Sequence, residues 1–167
     1  DQYPCVYLVV DPVMISKSGY SLLRPEAKQN LIKYLIPKAY IVTPNIPEAE
    51  EITNMKIETV EDMKKAGQII LNLGPKYVLM KGGHLNGDCV DILIGKDLFE
   101  VFEGERIDRK NTHGTGCTIS SAITSHLALG YDIKEAVRLS KEYITEAIRH
   151  SFDIGKGVGP VHHFYKF

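Results

Sequence analysis

The sequence lacks a strong charge excess and lacks any apolar run that approaches the length of a membrane span. A net charge of −1 among 167 residues gives no reason to expect a nucleic acid or an anionic membrane as a partner. The apolar runs are far shorter than the stretch that a bilayer requires. The chain begins Asp-Gln-Tyr-Pro, with no initiator Met and no signal-peptide pattern, so we expect a cytoplasmic protein by default.

Cysteine is also scarce: the chain has three, odd in number and far apart. Their spacing shows no pair typical of a zinc site, and a reducing compartment suits all of them. Cys5 and Cys89 lie in apolar runs, and we predict that both are small buried thiols. Cys117 alone has a context that would make it reactive. The sequence also lacks the G-x-x-x-x-G-K-[ST] pattern of Walker-type nucleotide binders.

The order of apolar runs and helical patterns predicts an α/β fold with a mainly parallel sheet flanked by helices. Unbroken apolar runs are typical of parallel strands that are buried on both faces, and they cover residues 5–10, 39–42 and 77–80. Two shorter runs, residues 90–94 and 98–102, flank a Gly-Lys-Asp turn. They predict a small antiparallel hairpin.

Helical spacing of apolar residues predicts four helices between and after these strands. The first begins at Pro25 and ends before Pro37, and its predicted inner face comprises Ala27, Leu31, Tyr34 and Leu35. The others begin near Thr59, just after Cys117 and just after Asp132. Glu135 follows Asp132 at the spacing of a capping box.

Polar side chains follow the carboxyl end of each predicted central strand. Asp11 follows the first strand, Thr43 and Asn45 follow the second, and Lys81 follows the third. Ligands of open α/β sheets bind at this edge. The helix that begins at Cys117 would point at the same edge, so the sequence predicts one shared site.

Several of these residues also have an ordinary structural explanation. Asn45 with Glu48 three positions later is a common helix start, and on spacing alone we favour that interpretation. Asp11 before proline is typical of a turn. Lys81 before two glycines is either a solvated turn residue or a clamp for phosphate. The roles of His84 and His113 stay open, and His126 is interpreted as a hydrogen-bonded core residue.

The stretch from Asn111 to Thr118 is the most informative part of the sequence. It combines a glycine-rich loop, a cysteine and the start of an amphipathic helix. A helix N-terminus presents backbone N–H groups and a positive dipole to an anion, and a thiol there ionises more readily. The alternative is that Cys117 is a small buried residue of the first helical turn. We favour the catalytic interpretation, because Gly114 and Gly116 allow an anion to approach the backbone.

Four motifs together resemble the hydroxymethylpyrimidine/phosphomethylpyrimidine kinases of thiamine biosynthesis, within the ribokinase-like superfamily. They are Asp11-Pro-Val-Met-Ile-Ser-Lys-Ser-Gly19, Thr43-Pro-Asn-Ile-Pro-Glu-Ala-Glu50, Lys81-Gly-Gly-His84 and Thr112-His-Gly-Thr-Gly-Cys117. The resemblance implies ATP-dependent phosphorylation of a small aminopyrimidine alcohol and its monophosphate, with Mg²⁺ as cofactor. Pyridoxine kinases with the same cysteine-type loop are the alternative within this superfamily. A non-catalytic nucleotide-binding module is the alternative outside it.

The resemblance also implies roles on the acceptor side. Cys117 would be the base that takes the proton from the hydroxymethyl oxygen of the acceptor. An anion hole for the transferring phosphoryl group would consist of Gly114, Thr115 and Gly116. Val13 would line the substrate pocket.

On the nucleotide side, the resemblance implies that Asn45 and Glu48 organise Mg²⁺ and the phosphates of ATP. Asp11 would hold the metal or its waters together with Glu48. Lys81 would contact an ATP phosphate, and Thr112 is also expected on the ATP side.

Members of this family carry a glycine-rich segment before the strand that opens the present chain, and that segment supplies the pyrimidine pocket. We therefore expect residues 1–167 to be a single C-terminal portion of a ribokinase-like kinase domain. We expect this portion to hold the ATP and phosphoryl-transfer side and to phosphorylate the pyrimidine poorly alone. The complete enzyme is expected to be a homodimer.

Overall fold

The structure is a computed structural model that describes residues 6–16, 19–83, 89–105 and 107–167. Cys5 and His84 therefore lie outside the described residues. The chain divides into two compact units, Asp1–Gly104 and Glu105–Phe167, and each is considered by itself below. Within the described ranges, every helix is too short or too polar to cross a bilayer.

Among its described residues, the first unit contains a mixed five-stranded sheet whose spatial order follows the chain. Its strands are β1 (Val9–Val10), β2 (Ile41–Val42), β3 (Tyr77–Lys81), β4 (Cys89–Gly95) and β5 (Leu98–Gly104). β1, β2 and β3 pair in parallel, whereas β4 and β5 form the antiparallel hairpin on the far side of β3. The α/β prediction and the hairpin are confirmed. β1 and β2 are shorter than the predicted apolar runs, because an apolar run indicates burial and not the length of a hydrogen-bonded ladder.

Three helices accompany this sheet along the chain: α1 (Pro25–Asn30), α2 (Ile46–Thr53) and α3 (Val60–Leu71). α1 continues as a π-helical turn, Leu31–Leu35, and a 3-10 turn, Ile36–Lys38. Of the predicted inner face of this segment, Leu31 is half-buried and packs against the core, whereas Ala27, Tyr34 and Leu35 are exposed, so the prediction is wrong for these three. Tyr34 and Leu35 lie within the π-helical turn, which is wider than an α turn and departs from the regular helical register. The buried residue of this segment is Ile36.

The core of the first unit lies between α3 and the central strands. The buried face of α3 carries Met63, Ala66, Gly67 and Ile70. These residues belong to the same buried cluster as strand residues Val78, Met80, Ile92 and Ile94. α3 begins at Thr59, whose side chain accepts from the backbone N–H of Asp62 at 3.1 Å, as the sequence predicts.

Substitution of Gly67 by Ala should destabilise the protein by about 1–3 kcal/mol, although the helix propensity of Ala is higher than that of Gly. An added Cβ would lie 2.3 Å from Ile94 Cδ1 and 3.1 Å from Met80 Cγ. Both neighbours are buried, so neither has room to move away. Urea unfolding measures the change in the free energy of unfolding.

The matched control is the double variant Gly67→Ala/Ile94→Val, in which the Cδ1 atom is absent. We expect it to lose less stability than the sum of the two single variants. A Gly67→Ala protein that is more stable than the parent would contradict this account of the packing.

The second unit contains α4 (Thr115–Ala128) and α5 (Ile133–Arg149), which pack against each other. The buried face of α5 comprises Ile133, Ala136, Val137, Ser140, Ile144 and Ala147. The side chain of Asp132 caps α5 by accepting from Glu135 N at 2.9 Å. The carboxylate of Glu135 binds Arg138, so it does not act as the capping-box partner expected from the spacing. His126 Nδ1 lies 3.1 Å from Ser140 Oγ, which agrees with a hydrogen-bonded core histidine.

Candidate active site

In the first unit, the carboxyl ends of β1, β2 and β3 bring three of the predicted polar residues together. Lys81 Nζ lies 3.0 Å from Asp11 Oδ1, and Thr43 Oγ1 donates to the same oxygen at 3.3 Å. The Lys81 and Asp11 side chains are both mostly buried. The three parallel strands place these groups next to each other, because Asp11 and Thr43 directly follow their strands and Lys81 is the last residue of β3. We call this cluster, with Asn45 and Glu48, the strand-end cluster.

Asn45 and Glu48 form a reciprocal capping box at the start of α2. Glu48 N donates to Asn45 Oδ1 at 2.9 Å, and Asn45 N donates to Glu48 Oε2 at 2.9 Å. Asn45 also forms a parallel bridge with Lys81, which fixes the cap beside the end of β3. The helix-start interpretation of this motif is therefore correct as structure. This capping role is compatible with a role in binding a ligand, because the capping hydrogen bonds hold the Asn45 and Glu48 side chains in defined positions.

Burial raises the pKa of the Glu48 carboxyl above its ordinary value. The carboxyl is only 2% exposed, and the nearby charge of Asp11 also acts to raise the pKa. The backbone N–H of Asn45 and the charge of Lys81 act in the opposite direction but do not offset burial. An ionised Glu48 is thus costly in the protein alone, and a cation at this place would lower that cost.

The donor set of the strand-end cluster fits Mg²⁺. Asp11 and Glu48 supply carboxylate oxygens, which are the ligands that Mg²⁺ prefers. Among the described residues, no group of three or more His, Cys, Asp or Glu side chains could enclose a metal ion. Mg²⁺ commonly binds through one or two carboxylates, with waters and substrate phosphates completing its coordination. Two carboxylates are therefore sufficient for this metal.

Thr43, together with one residue that the sequence analysis missed, Asp91, supports this edge of the sheet. Thr43 is fully buried and holds the Asp11 carboxylate. Asp91 on β4 is paired in register with Lys81, and its Oδ1 accepts the backbone N–H of Gly82 at 2.9 Å. The signal for Asp91 was present, because it is a charged residue inside an apolar run. Val13 is partly exposed two residues after Asp11.

In the second unit, a helix begins at the glycine-rich stretch, as the sequence predicts, but α4 starts at Thr115 and not just after Cys117. Gly114 has a φ of 84°, which favours glycine. The first N–H groups of a helix have no acceptor inside it and point outward from its N-terminal end. Cys117 is the third residue of α4, and its side chain is exposed. The alternative interpretation, a small buried residue, is therefore wrong. Thr115 Oγ1 donates to Thr112 O at 3.2 Å and stiffens the loop.

A cavity of about 420 Å³ lies next to Cys117 within this unit. Its lining comprises Cys117, Thr118, Ser121, Ala122, Ser125, Tyr143 and His163. Tyr143 Oη lies 3.3 Å from His163 Nδ1. The sequence analysis missed Tyr143, because no spacing rule links it to a residue twenty positions later. The cavity is largely open to solvent, and its volume lies in the range of small-molecule sites.

This sheet, with a glycine-rich helix start and a strand-end cluster, is the ribokinase-like kinase fold. The pyridoxal kinase of Staphylococcus aureus, solved with AMP-PCP, superposes with a TM-score of 0.86 at 38% identity, covering 94% of this chain and 57% of that one. The phosphomethylpyrimidine kinase of Clostridium difficile 630 superposes with a TM-score of 0.75 at 70% identity, covering 85% of this chain and 57% of that one.

Residues 1–162 match the phosphomethylpyrimidine kinase family, and the chain belongs to that family. A hydroxymethylpyrimidine/phosphomethylpyrimidine kinase of Staphylococcus aureus (strain MRSA252) is 47% identical over 166 residues. The alignment covers 98% of this chain and 60% of that relative. The chain thus spans about three fifths of the length of the curated relatives that it matches.

Proposed function

We propose that the protein acts in the ATP-dependent phosphorylation of hydroxymethylpyrimidine and its monophosphate, and that this chain carries the ATP and phosphoryl-transfer side. The observation that carries the proposal is the exposed Cys117 in the first turn of α4, directly after the glycine-rich loop. The match of residues 1–162 to the family supports it. Phosphoryl transfer requires mainly positioning and charge neutralisation. The strand-end cluster and the glycine-rich start of α4 carry groups that can supply both.

In this mechanism, the loop before α4 receives the transferring phosphoryl group. The backbone N–H groups of Thr115 and Gly116 belong to the helix N-terminus, where an anion is stabilised. Cys117 takes the proton from the acceptor hydroxyl, because a thiol at a helix N-terminus ionises more readily than usual. The cavity beside Cys117 offers room for a small acceptor.

The strand-end cluster would bind the nucleotide. Mg²⁺, when bound to Asp11 and Glu48, would neutralise phosphate charge. Asn45 holds Glu48 through the cap, and Lys81 brings a positive charge to the same edge. Thr112, next to the glycine-rich loop, would contact ATP. We further propose that the complete enzyme is a cytoplasmic homodimer.

A pyridoxal kinase activity is the second candidate, and one observation favours it. Solved pyridoxal kinases of Staphylococcus aureus and Bacillus subtilis share this fold at 38% and 42% identity. The hydroxymethyl group of pyridoxal would present the same kind of acceptor oxygen to Cys117.

The experiment measures phosphoryl transfer from ATP in the presence of Mg²⁺, with hydroxymethylpyrimidine, its monophosphate or pyridoxal as acceptor. It uses the chain alone and the chain joined to the glycine-rich opening segment that the family resemblance implies. We expect the joined protein to phosphorylate both pyrimidines much faster than the chain alone. A preference for pyridoxal would support the second candidate, and ATP binding without any product would support a non-catalytic module.

A further inference from the structure

The loop before Cys117 is tied to the C-terminal segment by a buried asparagine. Asn111 is 2% exposed, and both ends of its amide are hydrogen-bonded. Its Oδ1 accepts from Gly159 N at 2.9 Å, and its Nδ2 donates to Asp153 Oδ1 at 2.8 Å. We call Asn111, Asp153 and Gly159 the Asn111 clasp.

Gly159 contributes to the clasp through its backbone and through its lack of a side chain. A Cβ at this position would lie 2.4 Å from Asn111 Oδ1, so a larger residue would push the asparagine out of place. The carbonyl of Gly159 accepts from His113 N at 3.1 Å, next to a parallel bridge between His113 and Pro160. The C-terminal segment therefore holds both residues that flank Thr112.

The loop that follows needs such support. Gly114 would meet no atom within 4 Å of an added Cβ, so side-chain packing does not fix its place. Glycine also loses more conformational freedom on ordering than other residues. Hydrogen bonds between buried groups are costly to break, because the unpaired partner stays desolvated. The clasp can thus hold Gly114, and with it the start of α4, where side-chain packing does not.

We propose that Asn111 is a positioning residue for phosphoryl transfer, and that it acts by fixing Gly114 and the first residues of α4 (Thr115–Cys117) relative to the C-terminal segment. The effect on turnover rests on the proposed function, whereas the effect on loop order does not. A displacement of about 1 Å at a reacting group can cost up to about 100-fold in rate. Asn111 makes no contact with the reacting atoms in this account and acts through Cys117 and the loop amides.

The test compares Asn111→Ala and Asp153→Ala with the conservative control Asp153→Asn, whose Oδ1 still accepts from Asn111 Nδ2. Amide hydrogen exchange is followed in residues 112–118, with β4 (Cys89–Gly95) as the reference segment. Alkylation of Cys117 by iodoacetamide, resolved by mass spectrometry and measured as a function of pH, reports on the thiol. Turnover is measured in the joined protein with a saturating acceptor.

We expect Asn111→Ala to speed exchange in residues 112–118 by at least about tenfold without changing exchange in β4. It should also shift the pH profile of Cys117 alkylation and lower kcat by about 10- to 100-fold with little change in KM. Asp153→Ala, at an exposed position, should show the same effects more weakly and serves if Asn111→Ala fails to fold. Asp153→Asn should behave as the parent.

Unchanged exchange and alkylation in Asn111→Ala, or an equal rise of exchange in β4, would overturn the proposal. The proposal would also be overturned if Asp153→Asn changed exchange, alkylation and turnover as much as Asp153→Ala does. If the parent phosphorylates none of the acceptors, the proposed function fails, and the exchange data still decide whether the clasp orders the loop.

Discussion

Replacement of Cys117 by Ala should lower the rate of phosphoryl transfer by about 10²- to 10⁴-fold, which is the rate enhancement that a general base typically contributes. ATP binding should be kept, because the thiol acts on the acceptor and not on the nucleotide. The exposed thiol in the first turn of α4 motivates this expectation. The measurement is steady-state turnover in the joined protein, with ATP affinity measured separately by calorimetry.

Two further cysteine variants sharpen the result. Cys89→Ala, half-buried at the start of β4, is the matched control and should leave turnover within a few-fold of the parent. Cys117→Ser replaces the thiol with a hydroxyl that ionises far less readily, so turnover should fall. The pH profile of turnover should also lose the part that depends on ionisation of the thiol. Turnover of Cys117→Ala within a few-fold of the parent would exclude the base role and favour a binding module.

The parts of the fold and site that the sequence predicts are those set by local pattern and by the topology of parallel strands. Asp11, Thr43 and Lys81 meet because each lies at the carboxyl end of a parallel strand, and the apolar runs locate those strands. Gly114 and Cys117 are recognisable because a glycine turn before an apolar helical period predicts a helix start. The hairpin of β4 and β5 follows from alternation and a turn.

The parts that the sequence does not predict depend on geometry without a local signal. The π turn after α1 rotates Tyr34 and Leu35 to the exposed side, and no propensity marks that turn. The Asn111 clasp joins residues 42 and 48 positions apart, so no spacing rule could connect them. Tyr143 meets His163 in the same nonlocal way. Such contacts depend on how α4, α5 and the C-terminal segment pack.

The second large effect is expected for Glu48→Gln, and it has opposite signs for stability and for activity. The pKa of Glu48 is raised by burial above the ordinary value of 4.5. A raised pKa means that the neutral carboxyl favours folding, that this contribution is complete below the ordinary value, and that it is lost as the pH rises through the folded-state pKa. Gln is neutral at every pH and retains an oxygen that can accept from Asn45 N. In metal-free protein, Glu48→Gln should therefore be more stable than the parent at pH 7–8.

That gain should shrink as the pH falls through the folded-state pKa and vanish below the ordinary pKa, where Glu48 is neutral in both the folded and unfolded states. Urea unfolding at several pH values in the presence of EDTA measures the gap. Glu58→Gln, an exposed carboxyl of the same unit, is the matched control and should show no comparable pH-dependent gain. A Glu48→Gln protein that is less stable than the parent at neutral pH would show that the ionised carboxylate is stabilised by its neighbours.

The same variant should lose about 100-fold or more in turnover, because a neutral amide is a weaker Mg²⁺ ligand than a carboxylate. The loss should be accompanied by a higher requirement for Mg²⁺ in the joined protein, and the Glu58→Gln control should need no more Mg²⁺ than the parent. The two opposed effects have one cause, the buried charge of the Glu48 carboxylate. Without a cation, this charge lowers the stability of the folded protein. With Mg²⁺ bound, the same charge holds the metal that catalysis requires. Full turnover in Glu48→Gln at ordinary Mg²⁺ concentrations would remove Glu48 from the metal site and leave it only the capping role at the start of α2.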